Sequence, residues 1–300
     1  MTITTAINPA LVVRPSPPNE STSKPLSGPN ILLMGPSGTG KTFAIGTLVD
    51  WAAANAKEVF VLFTENGLET LLGYWRDRGK EVPSCLHWHQ QLTVPLGLKA
   101  LMTGAETVGK STYEMLTKMQ DGNRSGDNNS FFKILQSLAE FIDDKTGEKF
   151  EQVPSFGLDR IVVIDSLSEL SIAAMKMQVG IKPMAAPQDY GVAQQYIIGL
   201  LRLLTQGMPA TFVITAHVDR ILDTVTQETK TMVKSAGKAL ADEIPPLFSD
   251  VIYTLREGDK FYWDTAKYGV DCKTRSLGYR SKIDPNFGQI MKLWVKRGGK

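Results

Sequence analysis

Apolar positions along this chain fall into two rhythms: short unbroken runs, and longer stretches in which they recur every third or fourth residue. The runs "NILLM", "EVFVLFTE", "RIVVIDS" and "ATFVITAH", beginning at residues 30, 58, 160 and 210, predict strands. Because they are continuously apolar, they suit a mostly parallel sheet with helices on both faces. The second rhythm predicts helices from 41 to about 56 and over "VAQQYIIGLLRLLTQ" from 192. Near the C-terminus, "SDVIYTLREGDKFYWDTA" and "DCKTRSL" alternate and turn like β-hairpins at one end of the sheet. The expected class is α/β.

One stretch, 83–154, breaks this alternation. It holds the strand-like "CLHWHQ", the helix-like "SFFKILQSLAEFI" and the polar loop "DGNRSGDNN" at 121–129. Its length and apolar content do not suggest a core of its own, so it reads as an insertion into one domain spanning 30–300. Residues 1–29 are rich in proline and serine and lack the basic start and apolar stretch of a secretory signal. They read as a disordered leader.

Composition narrows the class without naming a partner. The 300 residues are 42% hydrophobic and 21% charged, as in ordinary globular proteins. Thirty-three Lys and Arg against 31 Asp and Glu leave a formal charge of +2, so any basic surface must be local. Cys85 and Cys272 cannot make a disulfide framework, and no apolar run approaches the roughly 20 residues of a membrane span. The expected setting is reducing and cytoplasmic, with no membrane partner.

The most specific signal is "GPSGTGKT", comprising Gly35, Pro36, Ser37, Gly38, Thr39, Gly40, Lys41 and Thr42, between a predicted strand and a predicted helix. Glycines let successive N–H groups approach one anion, and the helix adds its positive end. Lys41 is then placed to reach outer phosphates and Thr42 to hold Mg²⁺, so ATP and Mg²⁺ are the expected ligands. "RIVVIDSLSEL" ends a buried strand in Asp165, where open α/β sheets place ligands, and Asp165 is the second expected Mg²⁺ partner. Ser166 can hold that carboxylate or cap the next helix. Glu65, ending the run from 58, either polarises an attacking water or begins a surface loop. His217, ending the run from 210, is either structural or faces the outer phosphate and reports its presence. Lys273 and Arg275, two apart on an apparent strand, share a face and are either solvated surface or functional cations.

Together these stretches resemble the RecA-like P-loop ATPases, over about 30–287. More narrowly they look like phage-encoded nucleotide-binding proteins of that group, some of which act in single-strand annealing and recombination. Weaker phrases such as "HWHQ", "FIDDKTGEKF" and "IDPNFGQ" carry the narrower likeness. The resemblance implies a RecA-like core, a homo-oligomeric ring or filament, a recombination or replication protein partner, and the cytoplasm of an infected bacterial host. It also implies that Lys273 and Arg275 reach a neighbour's nucleotide in trans. Asp165 is followed by Ser166 and Leu167, without the glutamate of many AAA+ ATPases, which makes Glu65 the better base. His217 stands where RecA uses glutamine, and 83–154 has no RecA counterpart.

In the RecA-like arrangement the loops after the Asp165 unit and after His217 face the assembly axis. Here these are "VGIKPMAAPQDYG" and "DRILDTVTQETKTMVKSAGK". The second carries Arg220, Lys230, Lys234 and Lys238, cations suited to single-stranded DNA, although Asp219, Asp223 and Glu228 offset them and a solvated loop is the alternative. A metabolite kinase is another reading, but its arginine-rich lid and acceptor pocket are not evident. A third is a nucleotide-gated assembly protein with incidental hydrolysis. Cys85, His87 and His89 share a strand face, but the spaced cysteine pairs of a zinc site are absent. Met175, Met177 and Met184 are expected to pack after the Asp165 strand.

Overall fold

The computed structural model describes residues 26–93, 97–118, 129–180, 185–222 and 228–300. Nearly all of the expected leader, the loop at 121–128, Met184 and Asp223 lie outside the described residues.

The predicted runs become β1 (Asn30–Met34), β2 (Glu58–Phe63), β6 (Arg160–Asp165) and β7 (Thr211–Ala216) of a seven-stranded sheet. Between and after them lie β3 (Leu86–Gln90), β10 (Asp250–Glu257) and β11 (Lys260–Asp264), in the order β11-β10-β1-β7-β6-β2-β3. All neighbours are parallel except the β10–β11 hairpin. The molecule is thus α/β with a mostly parallel sheet, flanking helices and antiparallel hairpins late in the chain.

Strand periodicity divides the core. Leu32, Phe60, Val162 and Phe212 point to one face, where they pack with α5 (Ser130–Ala139), α6 (Leu167–Val179), α7 (Pro187–Arg202) and α8 (Lys238–Glu243). Leu33, Val61, Val163 and Val213 point to the other and meet α1 (Lys41–Ala54), α2 (Leu68–Arg76) and α9 (Gly288–Lys296). Both faces of each central strand are therefore buried, which explains why the apolar runs did not alternate.

The stretch 83–154 is joined to this architecture. Leu86–Gln90 is the edge strand beside β2, and Phe131, Ile134 and Leu138 of α5 enter the main core. The segment "DDKTGEKF" is tied back to β3: Asp143, fully buried, lies 3.0 Å from His87 Nδ1, and Asp144 lies 2.8 Å from His89 Nδ1. The two histidines thus serve to anchor a turn. By contrast, every described side chain of α3 (Leu98–Lys110) is exposed. Among the described residues, no helix is long and apolar enough to cross a membrane.

"DCKTRSL" departs from expectation. It is a loop with an isolated bridge between Lys273 and Val251, wrapped around Asp250. Asp250 Oδ1 accepts from Thr274 Oγ1 and from the Arg275 and Ser276 amides. A buried carboxylate needs that many donors, and meeting the need bends the chain out of strand geometry. Lys273 and Arg275 therefore do not share a strand face.

Candidate functional site

Strand register brings the site together. Met34 pairs with Ala216, and Phe63 with Asp165, so four strand ends lie level at the carboxyl edge of the sheet. Two-residue periodicity then puts Glu65, Asp165, Thr215 and His217 on the α1 face. That is the edge from which the phosphate loop departs.

The loop is braced on two sides. As it leaves β1, the Gly35 amide donates to the Ala216 carbonyl at 3.1 Å, which keeps the loop against β7. On the other side Thr39 Oγ1 lies 2.6 Å from Thr254 Oγ1 of β10. Gly35 packs so closely on Thr254 that a Cβ would fall 2.1 Å from its hydroxyl. Gly40, with φ of 80°, begins α1 beneath the ring of Phe261, where a side chain would meet both strain and a wall. Thr254 and Phe261 come from the late hairpin and were not foreseen.

Lys41 is largely buried and donates to the carbonyls of Gly35 at 2.9 Å and Pro36 at 2.8 Å. Burial lowers its pKa, against the opposing pull of Asp165 and Glu65. Its ammonium is a charge already largely desolvated beside the loop, of the kind that forms strong hydrogen bonds with anionic oxygens.

Asp165 is fully buried. Thr42 Oγ1 donates to its Oδ2 at 2.7 Å, and Thr215 Oγ1 donates to its Oδ1. Burial raises its pKa, and the two hydroxyls offset part of that. A hydroxyl beside a carboxylate is the hard-oxygen chemistry that suits Mg²⁺, a cation that keeps several of its own waters. The residues present therefore fit that ion. Space is tight here as well: a Cβ on Gly67 would lie 2.9 Å from Asp165 Oδ2.

Glu65 and His217 face each other, with Oε2 and Nε2 3.2 Å apart and each side chain about a quarter exposed. Burial would raise the Glu65 pKa, but the hydrogen bond and charge of His217, aided by Lys41, bring it below the ordinary glutamate value. The carboxylate is held ionised at the edge of the phosphate loop. The His217 amide donates to Ser168 Oγ at 3.0 Å, and its carbonyl accepts from the Lys234 amide at 2.9 Å. His217 thus touches Glu65, α6 and the end of the hairpin formed by β8 (Val218–Leu222) and β9 (Thr229–Val233).

The remaining predicted residues lie elsewhere. Lys273 bridges Val251, which is level with Leu32, and the Arg275 amide binds Asp250, level with Ile31. Both are toward the amino edge of the sheet, away from the Gly35–Thr42 loop. Arg220, Lys230, Lys234 and Lys238 are exposed on or after the β8–β9 hairpin. Lys230 is committed to Asp242 at 3.0 Å and Asp271 at 3.1 Å, whose hydrogen bonds raise its pKa. Arg220 pairs across from Thr231 and Lys230 from Ile221, so the two cations sit on opposite hairpin faces. No protein-family model and no curated protein matches this chain.

Proposed function

We propose that this chain is a RecA-like ATPase that binds ATP with Mg²⁺, hydrolyses it, and couples nucleotide state to single-stranded DNA at the β8–β9 hairpin. The observation that carries the reading is the contact between Glu65 and His217 at the carboxyl edge of the sheet. It joins a carboxylate suited to hydrolysis with the root of the basic hairpin.

Lys41 neutralises the outer phosphate oxygens, while the loop amides and the positive end of α1 hold the rest of the chain of phosphates. The Thr42 hydroxyl, with Asp165 beside it, would hold Mg²⁺, which when bound would supply further charge neutralisation. Glu65 orients and polarises a water in line with the γ-phosphorus. The water oxygen bonds to phosphorus, the bond to the β–γ bridging oxygen breaks, and that oxygen leaves on ADP with the electron pair. Glu65 takes the water's proton. A loose phosphoryl transition state asks for positioning of the water more than for a strong base.

Departure of the γ-phosphate changes the charge seen by Glu65 and His217, and His217 carries the change to Ser168 and Lys234. Arg220, Lys234 and Lys238 remain as exposed cations for a phosphate backbone. Lys273 and Arg275, remote from their own loop, serve a neighbouring protomer in a homo-oligomer. The test is the steady-state ATPase rate with and without an unstructured oligonucleotide. A rate that rises with the oligonucleotide supports the reading, whereas one that rises only with a small-molecule phosphate acceptor identifies a metabolite kinase.

A further inference from the structure

Behind Ser168 lies a cleft of about 350 Å³ between α6, α7 and the turn at 234–237. Its wall is apolar along Ile172, Met175 and Val179, and Tyr190 stands beside it, 41% exposed. Lys176 and Lys234 line it as well, both exposed. Ser171 also lines it; its hydroxyl is buried and, among the described residues, has no hydrogen-bond partner. Native proteins rarely leave such a group unmatched, and a ligand atom reaching it would complete its bonding.

Apolar wall, aromatic edge, one polar atom within and two cations together match the parts of a single nucleotide. A flat base would meet Ile172, Met175 and Tyr190, a polar atom on its edge would meet Ser171, and its phosphate would meet Lys176 and Lys234. Stacking with an aromatic side chain is the usual way proteins hold an unstacked base.

The cleft is also wired to the phosphate site. Ser168 lines it, and its Oγ accepts from the His217 amide at 3.0 Å and donates to the Lys234 carbonyl at 3.3 Å. One hydroxyl thus spans the root of the hairpin and the partner of Glu65. Because the bridge ends on the Lys234 backbone carbonyl, a ligand that repositions the turn at 234–237 would act on it.

We propose that the cleft receives one unstacked nucleotide and that Ser168 is the positioning residue that reports its occupancy to His217 and Glu65. This rests on the reading of the chain as an ATPase stimulated by single-stranded DNA. The nucleotide comes either from a strand or from free mononucleotide.

Three probes separate these sources: a dT oligonucleotide, an abasic oligonucleotide of equal length, and dTMP. Binding is read by fluorescence anisotropy, with the unlabelled probes as competitors, and coupling by the ratio of stimulated to basal ATPase rate. The dT strand should bind and stimulate severalfold more than the abasic strand, and Ser171→Val should erase that preference. Ser168→Ala should bring the stimulation ratio close to one while the strand still binds, and Ser168→Thr, which keeps a hydroxyl, should restore it. A merely structural role for Ser168 would alter binding and ratio together, and that result would overturn the relay. Equal action of the dT and abasic strands would overturn the base site. Competition and stimulation by dTMP alone would assign the cleft to a free nucleotide. Absence of any DNA effect on the unaltered protein would instead overturn the parent reading.

Discussion

Replacing Gly35 by alanine puts a methyl group where the sheet has no room. The new Cβ would lie 2.1 Å from Thr254 Oγ1 and 2.6 Å from the Thr254 carbonyl oxygen. Comfortable contact begins roughly 1 Å farther out, so the Thr254 side chain must turn and the two backbones must part. Turning Thr254 breaks its 2.6 Å contact with Thr39, and parting the backbones shifts the start of the phosphate loop. Overpacking of this kind costs about 1–3 kcal/mol in stability. The larger effect is on ligand, because a displacement of about 1 Å at a positioned site can cost on the order of 100-fold. Thermal melts with and without Mg²⁺-ATP separate the two effects. At a ligand concentration about 100 times Kd, the unaltered protein gains about 2.7 kcal/mol on binding. Gly35→Ala should melt lower without nucleotide and forfeit most of the nucleotide-induced rise. Adding Thr254→Ala should restore only part, since the carbonyl oxygen remains in place. A Gly35→Ala protein with an undiminished nucleotide-induced rise would refute the idea that this contact positions the loop.

Asp143 supplies a pH test. Burial would raise its pKa, but hydrogen bonds from His87, the Lys145 and Trp88 amides and Thr146 bring it below the ordinary value of 3.8. Its stabilisation is complete above that value and is lost as pH falls toward the depressed pKa. Asp143→Asn should therefore be less stable by about 1–3 kcal/mol at neutral pH, with a shallower decline in urea titrations as pH falls below about 4. For DNA, joint replacement of Arg220, Lys234 and Lys238 by alanine should reduce the salt slope of oligonucleotide binding by about 0.7 for each phosphate that the protein no longer neutralises. Lys230→Ala should change that slope less, because Lys230 is already paired with Asp242 and Asp271. For the oligomer, Arg275→Ala should bind ATP normally and hydrolyse it poorly, and mixing it with Lys41→Ala should recover activity. Unimpaired hydrolysis by Arg275→Ala at dilutions where only monomers exist would remove Arg275 from the neighbour's site.

The parts of this molecule that local pattern governs were legible in its sequence. Four apolar runs gave central strands because a two-sided core demands continuous apolarity, and "GPSGTGKT" joins the end of β1 to the first residues of α1. Glu65, Asp165 and His217 could each be placed at a strand end, but their mutual contacts depend on strand order. That β7 lies between β1 and β6 is a fact of long-range pairing with no local signature. Thr215 illustrates the gap: it is polar within an apolar run, yet its bond to Asp165 becomes evident only once the register is known. Thr254 and Phe261 reach the loop from the far end of the chain, and Ser168 gains His217 and Lys234 as partners only through the fold. "DCKTRSL" misled because alternation alone cannot reveal that Asp250 gathers its donors and bends the chain. In the stretch 83–154, the ties from His87 and His89 to Asp143 and Asp144 cross about 55 residues, beyond any periodicity.

The central claim is that Glu65 drives hydrolysis of a nucleotide held by Lys41. Phosphate release and nucleotide Kd, measured side by side for the unaltered protein, Glu65→Gln and Lys41→Ala, test it most directly. Mg²⁺-dependent turnover should fall by roughly 10²–10⁴ in Glu65→Gln with Kd little changed, whereas Lys41→Ala should forfeit both binding and turnover. Glu65→Gln hydrolysing ATP at the unaltered rate would contradict the claim.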